Sequence, residues 1–190
     1  MIYIIMGVSG CGKSTLGIFL SEKLNWPFHE GDSFHPKENI EKMARGEPLT
    51  DQDRIPWLLK LHEVIQREKC SGCDALVACS ALKRQYRQIL LHGSRALSAS
   101  SPESQRDVSS SSPDVFFIYL HGEYDFIYQR LATRKGHYMR ADLLRSQFDA
   151  LEPPFNEENV LTLDIRKGVS EMAVEVEKHI VSVKPSAAQL

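Results

Sequence analysis

A glycine-rich segment near the amino terminus has the composition of a phosphate-binding loop. Residues 7–14 read GVSGCGKS and match the Walker A pattern of two glycines, a lysine and a serine. Such a loop turns its backbone N–H groups inward around phosphate oxygens, and side chains in place of its glycines would obstruct the turn. Lys13 would reach the β- and γ-phosphates, and the Ser14 hydroxyl would ligate a bridging Mg²⁺. The nucleotide-binding residues predicted from this motif are Gly7, Val8, Ser9, Gly10, Cys11, Gly12, Lys13, Ser14 and Thr15.

The motif predicts a bound nucleotide but does not identify a reaction. Switch GTPases, motor ATPases and small-molecule kinases all contain it. The sequence has no Asn-Lys-x-Asp segment of the kind that selects guanine. The residues that follow the loop therefore have to distinguish a kinase from a nucleotide-binding switch.

A carboxylate is predicted to lie beside the phosphate-binding loop. Asp32 follows a short predicted strand, and the carboxyl ends of strands next to such a loop face the ligand crevice of a doubly wound sheet. Asp32 would orient or deprotonate an attacking hydroxyl group, or contact the metal shell through water. Glu30, two residues earlier on the same strand face, is a candidate partner. The alternative is that Asp32 only caps the following turn.

Cationic side chains occur at two further places that face the same crevice. Lys83 and Arg87 stand four residues apart at the start of a predicted helix, where cations oppose the helix dipole, so an anionic ligand explains them better than helix stability does. Arg54 precedes Pro56 and Trp57, which predict a helix start, and would bind a carboxylate of the acceptor. A solvated basic face, and an ion pair of Arg54 with a neighbouring aspartate, are the alternatives.

A basic segment lies between two predicted helices in the second half of the chain. Arg130, Arg134, Lys135 and His137 surround Gly136 there. We expect a mobile lid that closes over the transferring phosphoryl group, excludes water and offsets its charge, with Arg134 as the catalytic cation. The alternative is a basic helix end that satisfies its own dipole.

The elements that must position these residues alternate between strands and helices. Such alternation predicts a three-layer α/β fold with a doubly wound, parallel, five-stranded sheet and right-handed crossovers. Apolar runs predict strands at 2–6, 28–31, 76–79, 116–120 and 160–165. Apolar residues at helical spacing predict helices at 13–24, 39–44, 56–69, 81–91, 125–134, 143–151 and 169–183.

Length and composition predict how this fold is divided along the chain. With 190 residues, 42% hydrophobic and 25% charged, the chain has the size of one α/β domain. We expect this single domain to span 1–184, followed by a flexible tail at 185–190. Residues 94–113 are rich in serine and lack apolar periodicity, which predicts a mobile surface insertion. A tolerated insertion is the preferred interpretation over a set of phosphorylation sites.

Charge and hydropathy argue against several kinds of partner and location. A formal net charge of -2 and a pI near 6.4 leave no broad positive surface for a nucleic acid. No run approaches the roughly 18 apolar residues of a membrane span, and the sequence shows no signal peptide, which predicts a cytoplasmic protein. Four cysteines are too few for a secreted disulfide framework, and the C-x-x-C spacing at 70–73 is interpreted as a structural turn.

These segments together resemble the P-loop gluconokinases, relatives of shikimate and adenylate kinases, over nearly the whole chain. The Walker A segment is shared by many families, whereas His-Pro at 35–36 and Asp-Arg-x-Pro-Trp at 53–57 are much narrower signals. Glu30 stands where relatives tend to carry an aspartate, and the serine-rich insertion is longer than in bacterial relatives. The remaining matching segments are Gly31-Asp32, Asn39, Lys42-Met43, Pro48-Leu49, residues 79–83, Tyr86-Arg87, residues 134–137, Gln147-Phe148 and residues 151–153.

The resemblance implies a nucleoside-monophosphate-kinase-like P-loop fold and a specific reaction. It implies transfer of the γ-phosphoryl group of ATP to D-gluconate, with Mg²⁺, in a homodimer. By fold analogy, the adenine contacts are expected near residues 166–168. A shikimate or nucleoside monophosphate acceptor, and a slowly hydrolysing nucleotide switch, remain the alternatives. The motifs and the resemblance together predict catalytic residues Lys13, Asp32 and Arg134, a further nucleotide contact from Arg130, and acceptor contacts from Asp32, His35, Arg54, Ser80, Lys83, Arg87 and His137.

Overall fold

Five strands form a single parallel sheet in the computed structural model, which describes residues 1–98, 112–133 and 141–184. Every pair of neighbouring strands is parallel. The strands are β1 (Ile2–Met6), β2 (Phe28–Glu30), β3 (Ala75–Ala78), β4 (Val115–His121) and β5 (Val160–Asp164). Their spatial order is β2-β3-β1-β4-β5, so the strand that leads into the glycine-rich loop is central.

Helices follow the strands along the chain and cover the sheet. A short 3₁₀ helix, Gly31–Phe34, directly follows β2. The α-helices in the described ranges are α1 (Lys13–Leu24), α2 (Lys37–Ala44), α3 (Asp51–Cys70), α4 (Arg84–His92), α5 (Arg95–Ser98), α6 (Tyr124–Thr133), α7 (Ala141–Ala150) and α8 (Val169–Val183). None of these helices is long and apolar enough to cross a membrane.

The central strand shows how the two faces of the sheet are buried. Tyr3 and Ile5 point into a core formed with α1, α6, α7 and α8, while Ile2, Ile4 and Met6 point into a second core formed with α3 and α4. All five side chains are fully buried. A continuous apolar run is what a parallel strand covered on both faces requires. The predicted three-layer α/β architecture is therefore confirmed.

Two helix starts differ from the prediction by three residues or more, for local reasons. Helix α3 begins at Asp51 rather than at residue 56, because the Thr50 hydroxyl and the Asp53 carboxylate form a capping box upstream of Pro56. Helix α4 begins at Arg84 rather than at residue 81, since Ala81 has a positive φ of 45° that a helix cannot accept.

The serine-rich insertion also contains structure that its composition did not predict. Residues 95–98 form the one-turn helix α5, where no element was expected. The rest of the predicted insertion, residues 99–111, lies outside the described residues. So do the predicted tail at 185–190 and residues 134–137 of the basic segment that was predicted to act as a lid.

Candidate active site

The glycine-rich loop connects β1 to α1, and its three glycines occupy backbone conformations that other residues avoid. Gly7, Gly10 and Gly12 have φ values of 145°, 80° and 103°. A Cβ on Gly7 would lie 2.7 Å from the Cys11 sulfur, and one on Gly10 would lie 2.7 Å from the Leu131 side chain. The loop is therefore closed to side chains at these two positions, as a loop whose backbone wraps a phosphate must be.

The Lys13 side chain lies across this loop. Its ammonium donates to the carbonyl oxygens of Gly7 at 3.0 Å and Val8 at 3.1 Å. The loop is also tied to the end of β3, because the Gly7 N–H donates to the Ser80 carbonyl at 3.2 Å. The structure thus places Lys13 within the loop and Ser80 directly beside it.

The carboxylate that contacts Ser14 is Glu30. The Ser14 hydroxyl donates to Glu30 Oε2 at 2.5 Å. A hydroxyl and a carboxylate oxygen at the start of α1 form a donor set of the hard oxygens that Mg²⁺ prefers, so these residues fit the metal that a Walker A loop uses. Sequence reasoning named Glu30 only as a partner on the same strand face and did not predict its contact with Ser14.

Asp32 lies close by but in a different environment. Its side chain is 86% exposed on the 3₁₀ helix after β2. The backbone immediately before it is held firmly: a Cβ on Gly31 would lie 2.0 Å from the Ala78 carbonyl oxygen, and Trp57 Nε1 donates to the Gly31 carbonyl at 2.8 Å. Asp32 is therefore an accessible carboxylate on a fixed backbone.

A histidine faces Asp32 from within the protein. The His35 ring stacks on Trp57 with centroids 4.2 Å apart, and its Nε2 lies 4.0 Å from Asp32 Oδ1. Asn39 Nδ2 donates to the Asp53 carbonyl at 2.9 Å and contacts His35 Nδ1 at 3.3 Å, so Nδ1 is an acceptor and the ring proton lies on Nε2. Burial lowers the pKa of His35, which keeps the ring neutral.

Lys83, Asp51, Tyr86 and Arg54 form a second charged group, here called the Asp51 cluster. Lys83 Nζ contacts both Asp51 carboxylate oxygens, at 3.0 and 3.1 Å, and the Tyr86 hydroxyl donates to the same carboxylate. Arg54 and Lys83 both lie against the Tyr86 ring, 5.7 and 5.8 Å from its centroid. The bond from Tyr86 and then that from Lys83 lower the pKa of Asp51. The structure therefore brings the predicted acceptor residues Arg54 and Lys83 together.

Asp51 and Tyr86 were not predicted as site residues. Asp51 provides an anion beside Lys83, so a bound ligand is not needed to explain a cation at the start of α4. The predicted alternative for Arg54, an ion pair with Asp51 or Asp53, is not what the structure shows: Asp51 pairs with Lys83. Asp53 pairs with Lys42, and Arg54 donates to the Leu49 carbonyl.

Arg87 requires a correction, because the prediction that it binds the acceptor conflicts with its contacts. Its side chain is 1% exposed. The guanidinium is paired with Glu157 through Nε and Nη2, and its remaining bonds go to the carbonyls of Ala81, Leu82 and Glu152. Every N–H of the group is used, since an arginine has five donors. Arg87 therefore joins α4 to the segment after α7 and has no donor left for a ligand.

The glycine-rich loop and several predicted acceptor residues meet around the end of β3. The Cys79 thiol is buried there, and burial raises its pKa to about 12. Lys13 lowers that pKa, whereas Asp32 and Glu30 raise it, because all three charges act on the same sulfur. His35 in turn experiences the charges of Asp32 and Arg54. Direct contacts join the same strand ends: the Gly7 N–H donates to the Ser80 carbonyl, and a Cβ on Gly31 would lie 2.0 Å from the Ala78 carbonyl oxygen.

A cavity of about 360 Å³ opens on the other side of the loop. It lies between the glycine-rich loop, the end of α6 and the start of α8. Arg130 lines it and is held by a 3.0 Å bond from Nη2 to the Ile165 carbonyl. The segment predicted to contact adenine also lines it, through Lys167 and Gly168, whereas Arg166 pairs with Asp164 in solvent. The other residues that line the cavity are Gly10, Cys11, Gly12, Thr15, Leu16, Leu131, Thr133, Val169 and Met172.

Of the predicted site residues in the basic segment, Arg130 is placed but two others are not. Arg134 and His137 lie outside the described residues, as do Lys135 and Gly136. Their predicted roles in catalysis and acceptor binding stay predictions.

Comparison with known proteins identifies the family. No protein-family model matches the chain. It is 47% identical to a probable gluconokinase of Xenopus tropicalis, covering 95% of this chain and 93% of that protein. It is 40% identical to the thermoresistant gluconokinase of Escherichia coli K12, covering 93% of each. A solved gluconokinase from Sinorhizobium meliloti 1021 superimposes with a TM-score of 0.73 at 33% identity, covering 96% of this chain and 97% of that one.

More distant structures share only the fold. An APS kinase of Mycobacterium tuberculosis matches with a TM-score of 0.62 at 16% identity, covering 95% of this chain and 96% of that one. The parallel sheet is thus common to P-loop kinases. The high identity over nearly full length, in contrast, is to gluconokinases, and the protein therefore belongs to the gluconokinase family.

Proposed function

We propose that the protein transfers the γ-phosphoryl group of ATP to D-gluconate, giving 6-phospho-D-gluconate and ADP. The observation that carries this proposal is that a Walker A loop, an exposed carboxylate, Asp32, and the Asp51 cluster all lie at the end of β3. Phosphoryl transfer needs such positioning and charge more than it needs covalent chemistry from the protein. Membership of the gluconokinase family supports the choice of acceptor.

ATP would bind along the glycine-rich loop. Backbone N–H groups of residues 7–14 would surround the phosphates, at the positive end of α1. Lys13 would neutralise charge that develops on the γ-phosphoryl group. The cavity beside Arg130, Lys167 and Gly168 would hold the nucleoside, because it is contiguous with the loop.

Mg²⁺ would be held by the Ser14 hydroxyl, with the Glu30 carboxylate adjacent. The two oxygens already lie in contact, 2.5 Å apart. When bound, the ion would offset the negative charge of the phosphates. The Glu30 side chain, one methylene longer than that of an aspartate, reaches Ser14.

The acceptor would bind between Asp32 and the Asp51 cluster. Asp32 would accept the proton of a gluconate hydroxyl as its oxygen bonds to the γ-phosphorus and the bond to the β–γ bridging oxygen breaks. The neutral His35 ring would present its Nε2–H toward that carboxylate, whose nearer oxygen lies 4.0 Å from Nε2. Lys83 and Arg54 would bind the gluconate carboxylate, since both cations flank the Tyr86 ring. Ser80 lies after the end of β3, beside the glycine-rich loop.

A coupled assay of ADP release with several acceptors tests the proposal. Gluconate, shikimate and AMP would each be added with Mg·ATP to the wild type and to Lys13→Ala. We expect gluconate alone to stimulate turnover strongly, and Lys13→Ala to reduce turnover by orders of magnitude. Stimulation by shikimate or AMP instead would assign another kinase activity, and ATP binding without stimulation by any acceptor would indicate a nucleotide switch.

Three further statements rest on the family and the composition. We propose that the chain forms a single domain over 1–184, acts as a homodimer and works in the cytoplasm. Sedimentation equilibrium distinguishes a monomer of 21.6 kDa from an assembly of twice that mass. A monomer at micromolar concentration would refute the dimer.

A further inference from the structure

A glutamine from the second half of the chain binds the phosphate loop. The Oε1 atom of Gln147 accepts a hydrogen bond from the Ser9 backbone N–H at 2.7 Å. Its Nε2 atom donates to the Ser9 hydroxyl at 3.0 Å. Both distances lie in the usual range for hydrogen bonds. The two residues are 138 positions apart in the sequence. One carboxamide therefore fixes both the peptide and the side chain of a residue in the loop.

The helix that carries Gln147 is anchored in the core. On α7, Leu144 is fully buried in the core that the sheet forms with α1, α6 and α8, and Phe148 packs against the same core. The Phe148 ring meets Tyr124 of α6 edge-on, with centroids 5.4 Å apart. Gln147 lies between these two apolar anchors, so its carboxamide is presented to the loop from a fixed backbone.

The bonds from Gln147 complete a set that holds the first half of the loop. Lys13 binds the carbonyls of Gly7 and Val8, and Gln147 binds the next residue, Ser9. Glycine conformations at positions 10 and 12 then form the bend. A loop with this much backbone freedom loses entropy when it closes on a ligand, and contacts made beforehand reduce that cost.

We propose that Gln147 is a positioning residue that presets the phosphate loop through Ser9 and thereby sets the affinity for ATP. The inference rests on the proposed use of ATP but not on the identity of the acceptor. Its effect should be specific to the nucleotide, because Gln147 contacts the loop, whereas the Asp51 cluster that would bind the acceptor is formed by residues of α3 and the start of α4.

Replacing Gln147 by methionine tests the proposal. Gln147→Met keeps the length of the side chain and removes both hydrogen bonds. We expect the KM for ATP to rise roughly five- to fifty-fold, as the loss of two neutral hydrogen bonds implies, with the KM for gluconate changed less than about twofold. The matched control is Ser146→Ala, the exposed neighbour whose hydroxyl bonds only within its own helix, and it should leave both constants unchanged.

Ser9→Ala and the double variant provide a second measurement. Ser9→Ala removes the hydroxyl bond and keeps the peptide bond, so its effect should be smaller than that of Gln147→Met. Because both changes disrupt one contact, the double variant should bind ATP no more weakly than Gln147→Met does. Additive losses would show that the two residues act independently and would overturn the inference.

Calorimetric binding of a non-hydrolysable ATP analogue, without acceptor, separates this inference from the proposed function. Weaker binding by Gln147→Met at an unchanged melting temperature supports a positioning role. Wild-type affinity in that variant, or an equal rise of both KM values with a lowered melting temperature, would overturn it. If the wild type bound the analogue but gluconate did not stimulate turnover, only the acceptor assignment would fail.

Discussion

Glu30 and Asp32, the two acidic side chains at the end of β2, differ in what they contact. Glu30 is bonded to Ser14 on the phosphate side, whereas Asp32 is 86% exposed. In the proposed mechanism the two carboxylates therefore have different tasks. Glu30 would act with the metal and the triphosphate, and Asp32 would be the group that an incoming hydroxyl meets first.

The role of Asp32 predicts a specific loss of turnover. Asp32→Asn preserves the size of the side chain but cannot accept the proton, so kcat should fall on the order of 10²-fold or more. The KM for ATP should stay near the wild-type value. Steady-state kinetics with gluconate measures both. A kcat within a few-fold of wild type would show that Asp32 is not the base.

Residues in the site could be predicted where their signal is local in the sequence. The loop at 7–14 is one contiguous motif, and its structure agrees with the expected glycine conformations. The role of Arg87 could not be predicted in this way, since its partner Glu157 is 70 residues away. A cation near a predicted crevice gives no indication of whether it is buried in an ion pair or free to bind.

Arg87 connects two elements, and its removal should affect stability rather than substrate binding. Arg87→Met leaves the partly buried Glu157 carboxylate without its partner, which should cost about 3 kcal/mol of unfolding free energy. Urea denaturation measures this loss, with the exposed Arg84→Met on the same helix as control. A raised KM for gluconate at unchanged stability would contradict the structural role.

The capping box of α3 predicts a dependence of stability on pH. The bond from Lys42, and then the bonds with Thr50, hold the pKa of Asp53 at about 2, below its ordinary value of about 3.9. A carboxylate with a depressed pKa stabilises the fold above its unfolded pKa and loses this effect as pH falls. The difference in melting temperature between wild type and Asp53→Asn should therefore shrink from about pH 4 to about pH 2.

The control for this experiment is Glu63→Gln, which neutralises an exposed carboxylate on the same helix. A difference between wild type and Asp53→Asn that stays constant with pH would show that Asp53 does not act through its charge.

Element boundaries were predictable where periodicity was strong. Helix α8 occupies residues 169–183 as its apolar spacing predicts. The predicted start of α3 was wrong because Pro56 was taken as the first residue of the helix, whereas the capping box begins at Thr50. Helix α5 was missed since a four-residue helix shows no periodicity.

At the scale of the whole molecule, the parallel sheet assembles a site from distant segments. Its order, β2-β3-β1-β4-β5, places the ends of β2 and β3 beside the loop that follows β1. Alternating strands and helices predicted the layers, but the sequence pattern carried no prediction of the order, which depends on pairings between residues far apart in the chain. The glycine-rich loop and the predicted acceptor residues meet because of that order.

The most direct test of the account follows the phosphoryl group itself. The protein would be incubated with γ-³²P-labelled ATP, Mg²⁺ and D-gluconate, and the labelled product would be identified by chromatography against 6-phospho-D-gluconate, with the attachment site assigned by ³¹P NMR. We predict label on the terminal hydroxyl of gluconate, in amounts equal to the ADP formed and abolished by Lys13→Ala. Label released only as inorganic phosphate, with gluconate unmodified, would contradict the account.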